Sequence, residues 1–196
     1  MKHSKTFVFF GNVGAGKGTQ VFFLKSFLER MDGQKVVYAY PGNEFRNIIS
    51  NEGYTNGLTK EILNRGELLP VFLVSYVFGR ILMNELEDPN NHLILDGFPR
   101  SIEQVRIFES AMSFYGRNNI EIIYLDITKE ESVKRLKLRG RHDDTEEGID
   151  RRFEEYEKNV LPALNHMREK GYKIHHINGQ QHIDEVKDDV FMALGL

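Results

Sequence analysis

The stretch Gly11-Asn12-Val13-Gly14-Ala15-Gly16-Lys17-Gly18-Thr19-Gln20 limits what this chain can fold into more than any other. It directly follows the apolar run Thr6–Phe10. It precedes a segment with apolar residues at Val21, Leu24, Leu28 and Met31, a spacing that predicts a helix. Glycines let a backbone curl until several N–H groups point at one anion, and a helix N-terminus adds partial positive charge there. Lys17 falls in the first turn of that helix, where a cation opposes the macrodipole. The placement makes sense when an anion sits between lysine and loop. Strand, glycine-rich turn and helix in that order predict a phosphate-binding loop.

Such a loop needs a parallel sheet behind it. The remaining apolar runs are Val36–Tyr40, His92–Leu95, Ile120–Asp126 and Lys173–Asn178, with helical patterns between them. Runs such as Phe7-Val8-Phe9-Phe10 do not alternate with polar residues, which suits strands covered on both faces. The class is therefore α/β with a parallel sheet. Thr128 with Glu131 reads as a capping box whose helix stops at Gly140, and Asp144 with Glu147 as another. The second opens a helix through Ile149, Phe153, Tyr156, Val160, Leu164 and Met167, kinked at Pro162 and ended by Gly171. Pro70 is placed at the first position of a helix reaching about Glu87. The intervening Pro41–Leu69 is rich in Gly and Asn and reads as short helices in an inserted lobe. With 196 residues and a net charge of −3, one domain with small lobes is expected, and a general nucleic-acid binder is not. There are no cysteines, which rules out thiol catalysis, disulfides and cysteine–zinc sites. No apolar run approaches the roughly 20 residues of a membrane span. The first strand begins too early for a signal peptide, so a cytoplasmic protein is expected.

A second signature, Leu93-Ile94-Leu95-Asp96-Gly97-Phe98-Pro99-Arg100, ends another strand. A carboxylate at a strand's C-terminal edge lies on the ligand side of an open parallel sheet. Asp96, and the Thr19 hydroxyl, could then serve the water shell of a Mg²⁺ ion. Taken alone, the segment is read equally well as a turn capped by Asp96 with a surface arginine. Taken with the loop ending Gly-Lys-Gly-Thr-Gln, it resembles the adenylate kinases, over nearly the whole chain.

The resemblance implies a three-layer sandwich of the P-loop NTPase type, with a five-stranded parallel sheet. It also implies a nucleoside-monophosphate lobe, here 41–70, and a lid, here a very short 140–145 without room for a zinc-binding insert. It implies reversible transfer between ATP and AMP with Mg²⁺, by a monomer. Gly14, Ala15, Gly16, Lys17, Gly18 and Thr19 would cradle the ATP phosphates. Arg46, in Pro41-Gly42-Asn43-Glu44-Phe45-Arg46, would grip the AMP phosphate. Glu67, Leu68 and Leu69 would meet the AMP base through their backbone. Gly97, Phe98, Pro99 and Arg100 would line the AMP site, and Gln104 would read the adenine edge. Pro41 stands where the family has threonine and cannot supply that hydroxyl, which loosens base discrimination. UMP/CMP or broad-specificity kinases are thus the nearest alternative, ahead of a non-catalytic nucleotide sensor.

Arg135 and Arg139 share a helix face and repel unless an anion lies between them; a solvated basic face is the alternative. Arg151 has Glu147 and Glu155 at helical spacing, whereas Arg152 has only Glu155, three residues away, and is the better ligand candidate. In the family, Arg135 would pack on the ATP adenine. Arg139, Arg141 and Arg152 would surround the transferring phosphoryl group, with Arg141 and Arg152 also at AMP. Asp143 and Asp144 would hold the closed lid. His142 reads as an exposed bystander. His175 and His176 point to opposite faces of a strand and read as structural.

Overall fold

The computed structural model describes residues 4–140 and 145–196. Five parallel strands form one sheet: β1 (Thr6–Gly11), β2 (Val36–Ala39), β3 (His92–Asp96), β4 (Ile120–Asp126) and β5 (Lys173–Asn178), in the order β2-β3-β1-β4-β5. Every residue of β1 and β3 is buried, as expected of strands covered on both faces. Alternation divides β1 between two cores. Phe7 and Phe9 pack with Val21, Leu24 and Leu28 of α1 (Lys17–Asp32) and Val186 and Val190 of α9 (Ile183–Leu194). Val8 and Phe10 pack on the other face. Their partners there include Val77 and Phe78 of α4 (Val71–Glu85), Phe108 of α5 (Ile102–Phe114) and Leu164 of α8 (Leu161–Glu169). Each fully buried aromatic or aliphatic side chain contributes about 1.5–3 kcal/mol.

The segment expected to be a lobe carries α2 (Pro41–Ile49) and α3 (Tyr54–Asn64), short helices as expected. Four local expectations change. Met31 is 53% exposed, because it lies in the last turn of α1 at the margin of the buried stripe. Pro70 is the N-cap of α4 rather than its first residue: its ψ of 138° is not helical, and its carbonyl accepts the first bonds, from Leu73 and Val74. The next helix, α7 (Glu146–Glu155), is capped by Thr145, whose hydroxyl accepts from the Gly148 N–H at 3.1 Å. The proposed Asp144 cap lies outside the described residues. A π-helical turn, Tyr156–Val160, joins α7 to α8 just before Pro162, so the irregularity comes one turn earlier than the proline. Thr128 caps α6 (Lys129–Arg139) by accepting from the Glu131 N–H, and Gly140 ends it with φ +62°. On β5, His175 pairs with Glu121 at 2.7 Å and His176 with Asp126 at 3.2 Å, on opposite faces. Among the described residues no helix is long and apolar enough to cross a membrane.

Candidate active site

The glycine-rich loop joins β1 to α1 at the C-terminal edge of the sheet. Gly14 (φ +79°) and Gly16 (φ +87°) adopt the left-handed conformation that turns the chain into the helix. Gly14 also has no room for a side chain, since a Cβ there would lie 2.9 Å from Ser132 Oγ. Ser132, fully buried on α6, donates to the Val13 carbonyl at 2.6 Å and braces the loop from outside. Ala15 is buried; Gly18 and Thr19 are exposed at the start of α1. Lys17 as a whole is half-buried, but its ammonium turns onto the loop, donating to the carbonyls of Gly11 (2.7 Å) and Asn12 (3.0 Å). Burial pushes its pKa down to about 8; Asp96 pulls the other way, and Arg100 and Arg139 deepen the fall. Lys17, Asp96, Arg100 and Arg139 therefore share one electrostatic neighbourhood.

Asp96 ends β3 opposite Phe9 of β1 and is 4% exposed. It accepts from the Tyr38 hydroxyl at 2.9 Å. Burial and then Asp96 push the Tyr38 phenol well above its ordinary range, so the hydroxyl stays a donor. After Asp96 the chain turns at Gly97 (φ +70°), where a Cβ would lie 2.5 Å from the Arg100 guanidinium. Gly97 thus lets Arg100 fold back toward the strand end. Phe98 stacks on Phe78 at 4.1 Å and precedes a cis bond to Pro99. Gln104, 2% exposed, accepts the Arg100 N–H at 2.8 Å.

In the lobe, Pro41 is the buried first residue of α2 and Tyr40 its N-cap. Arg46 donates to the Tyr40 hydroxyl at 2.9 Å, its guanidinium 5.4 Å from the ring centroid. Tyr40 stacks on Tyr38 with centroids 5.7 Å apart. In the loop before α4, Glu67 chelates Arg65 (2.8 and 3.0 Å), Leu68 is half-buried and Leu69 buried. Gly66 (φ +74°) brings this loop onto α7: a Cβ there would lie 3.2 Å from the Gly148 carbonyl and 3.4 Å from Arg152 Cγ.

The arginines after β4 are less simple than their spacing suggests. Arg135 pairs with Glu131 at 2.7 Å, so its repulsion from Arg139 is already relieved and does not require an anion. Arg139 is exposed at the end of α6; Arg152 is half-buried on α7 and donates to the Gly148 carbonyl at 3.0 Å. Arg151 pairs with Glu147 at 3.7 Å, the solvated role expected for it. Arg141, His142, Asp143, Asp144 and most of the 140–145 lid lie outside the described residues. Among the described residues no group of three metal-ligating side chains converges. The oxygen donors Asp96 and Thr19 suit a hard divalent cation held mostly through water and substrate phosphate.

Sequence reasoning missed Ser132, Tyr38 and Tyr40. A serine one turn past the Thr128 cap, and tyrosines two apart at the end of a strand, were the available signals.

The adenylate kinase family profile matches residues 9–172. An adenylate kinase of Mycobacterium sp. (strain MCS) is 34% identical over 189 residues, 96% of this chain and 98% of the relative. Adenylate kinase 1 of Nostoc sp. (strain PCC 7120) is 32% identical over 188 residues, 96% of this chain and 97% of the relative. That of Prochlorococcus marinus (strain MIT 9515) is 30% identical over 186 residues, 95% and 96%. Full-length similarity at this level, on a sheet that carries both signatures at adjacent strand ends, means that the chain belongs to the adenylate kinase family.

Proposed function

We propose that this phosphotransferase moves the terminal phosphoryl group of ATP to AMP, reversibly, as a monomer with Mg²⁺. The observation that carries the reading is the Lys17 ammonium seated on the carbonyls of the glycine-rich loop, with Asp96 at the end of the adjacent strand. Phosphoryl transfer asks for positioning and charge stabilisation more than covalent chemistry. The N–H groups of Gly14–Thr19 and the Lys17 ammonium hold the donor phosphates. An arriving phosphate takes the Lys17 ammonium from the Gly11 and Asn12 carbonyls and raises its pKa again. Arg46 and Arg100 hold the acceptor phosphate, and Arg139, Arg141 and Arg152 neutralise the charge between the two nucleotides. Bound Mg²⁺ would supply further neutralisation, with Asp96 and Thr19 as the residues that would hold its waters. The acceptor phosphate is ionised and nucleophilic near neutral pH, so no general base is assigned. Closure of lobe and lid over both nucleotides excludes water.

One observation favours a broader acceptor range. The Arg100 backbone N–H takes one of the two lone pairs of the Gln104 carbonyl oxygen, and Pro41 offers no hydroxyl. Fewer hydrogen bonds to the base mean weaker discrimination. The test is to mix ATP and Mg²⁺ with AMP, UMP, CMP or GMP separately and measure each diphosphate formed. AMP is expected to be the best acceptor; absence of ADP from AMP overturns the reading.

A further inference from the structure

The cations around the lobe are not partnered alike. Arg80 faces Glu44, and Arg65 is chelated by Glu67. Arg46 instead meets a phenol, with the Tyr40 hydroxyl accepting one N–H and the Tyr40 ring beneath the guanidinium. A carboxylate would fix an arginine by neutralising it and would then compete with any anionic ligand. A phenol and a π face orient the cation and leave most of its charge available.

Tyr40 is itself held from two sides. Its ring lies on Tyr38 with an interplanar angle of 18°. A Cβ on Gly42 would lie 2.7 Å from Tyr40 Cε2, so only glycine leaves the ring its place. Tyr38 is in turn anchored by its hydroxyl on Asp96. Four side chains thus run without a break from the lobe to the strand edge: Arg46, Tyr40, Tyr38, Asp96.

We propose that Tyr40 is a positioning residue for Arg46, seated on Tyr38, and that it sets the affinity of the acceptor site for a nucleoside monophosphate's phosphate group. The inference rests on the assignment of Arg46 to the acceptor phosphate. It goes beyond that assignment by naming the group that aims the guanidinium and the group that seats that one.

The experiment is titration calorimetry with AMP and with adenosine, alongside the KM for AMP and for ATP. Tyr40→Phe keeps the ring and deletes the hydroxyl. It is expected to weaken AMP by about five- to tenfold, the upper range for one ordinary hydrogen bond. Adenosine binding and the KM for ATP should stay within about twofold, because neither involves Arg46. On an Arg46→Ala background the same substitution should cost less than about twofold, since its effect travels through the arginine. Gly42→Ala, which pushes on the ring from outside, should reproduce the AMP-selective loss should Tyr40→Phe fail to fold.

Unchanged AMP affinity in Tyr40→Phe overturns the proposal. So does an equal loss for adenosine, or a full additive loss on the Arg46→Ala background, because either makes Tyr40 a packing residue or a direct base contact. Wild-type chain that binds no AMP overturns the acceptor reading and this inference together. Wild-type binding with an unaltered Tyr40→Phe overturns this inference alone.

Discussion

On the function proposed above, the glycine-rich loop and the segment that follows β2 both present positive charge to phosphate, but they do it by different means. The loop uses backbone. Its N–H groups are aimed by left-handed glycines, its conformation is braced by Ser132, and its lysine is stored on two loop carbonyls. The lobe uses side chains. Its Arg46 is exposed, belongs to a nine-residue helix and is aimed by an aromatic pair reaching back to β3. Backbone donors need no reordering when a ligand arrives, and their cost is met when the domain folds. A side-chain site on a short helix is oriented by whatever packs against it, and so is easier to move and to retune. On the proposed assignment, the donor is met by fixed backbone and the acceptor by a side chain that its neighbours aim.

Substitutions test this contrast, beginning with the largest effect. Lys17→Ala should lower turnover by roughly 10²–10⁵-fold, with far-UV circular dichroism unchanged; stopped assays of ADP formation read it. Arg46→Ala should raise the KM for AMP by about 10- to 100-fold, as for loss of a hydrogen bond between charged groups, with a much smaller change in the KM for ATP. Equal effects on both nucleotides would erase the division between loop and lobe. Ser132→Ala removes the brace on Val13 and should weaken ATP binding by about fivefold, one ordinary hydrogen bond, without altering AMP.

The smallest effect, about fourfold at pH 8.5, is a pH dependence confined to the loop. The folded pKa of Lys17 is about 8, below its ordinary 10.5. Between those values the unfolded chain carries the extra proton, so this group's contribution to stability rises as pH climbs from about 8 to 10.5. ATP binding should change in the opposite sense. It needs the ammonium, so affinity is level below about pH 8, falls by at most tenfold per unit above it, and is accompanied by proton uptake. Calorimetry at pH 8.5 in two buffers of different ionisation enthalpy measures that uptake. AMP affinity, governed by an arginine, should not follow the same curve.

The strand, loop and helix of the phosphate site could be read directly from residues 6–31, because neighbours in sequence there are neighbours in space and glycine, lysine and helix start have local meanings. The same holds for Asp96 to Arg100 at the end of β3, and for the fully apolar β1 and β3, whose composition alone requires cover on both faces. Contacts between distant segments carry no such local mark. Ser132 meets Val13 across 119 residues, and Tyr38 meets Asp96 across 58. Gly66 meets α7 only because the lobe folds back on it. The repulsion between Arg135 and Arg139 was plain from their spacing, and the Glu131 that relieves it is equally local, four residues before Arg135 on the same helix. Residue order thus determined the fold class, the glycine-rich loop and the family; tertiary structure decided what braces that loop and what seats the tyrosines beside Arg46. The physical reason is that backbone conformation follows local sterics, whereas the orientation of a long charged side chain depends on the partner that three-dimensional folding brings to it.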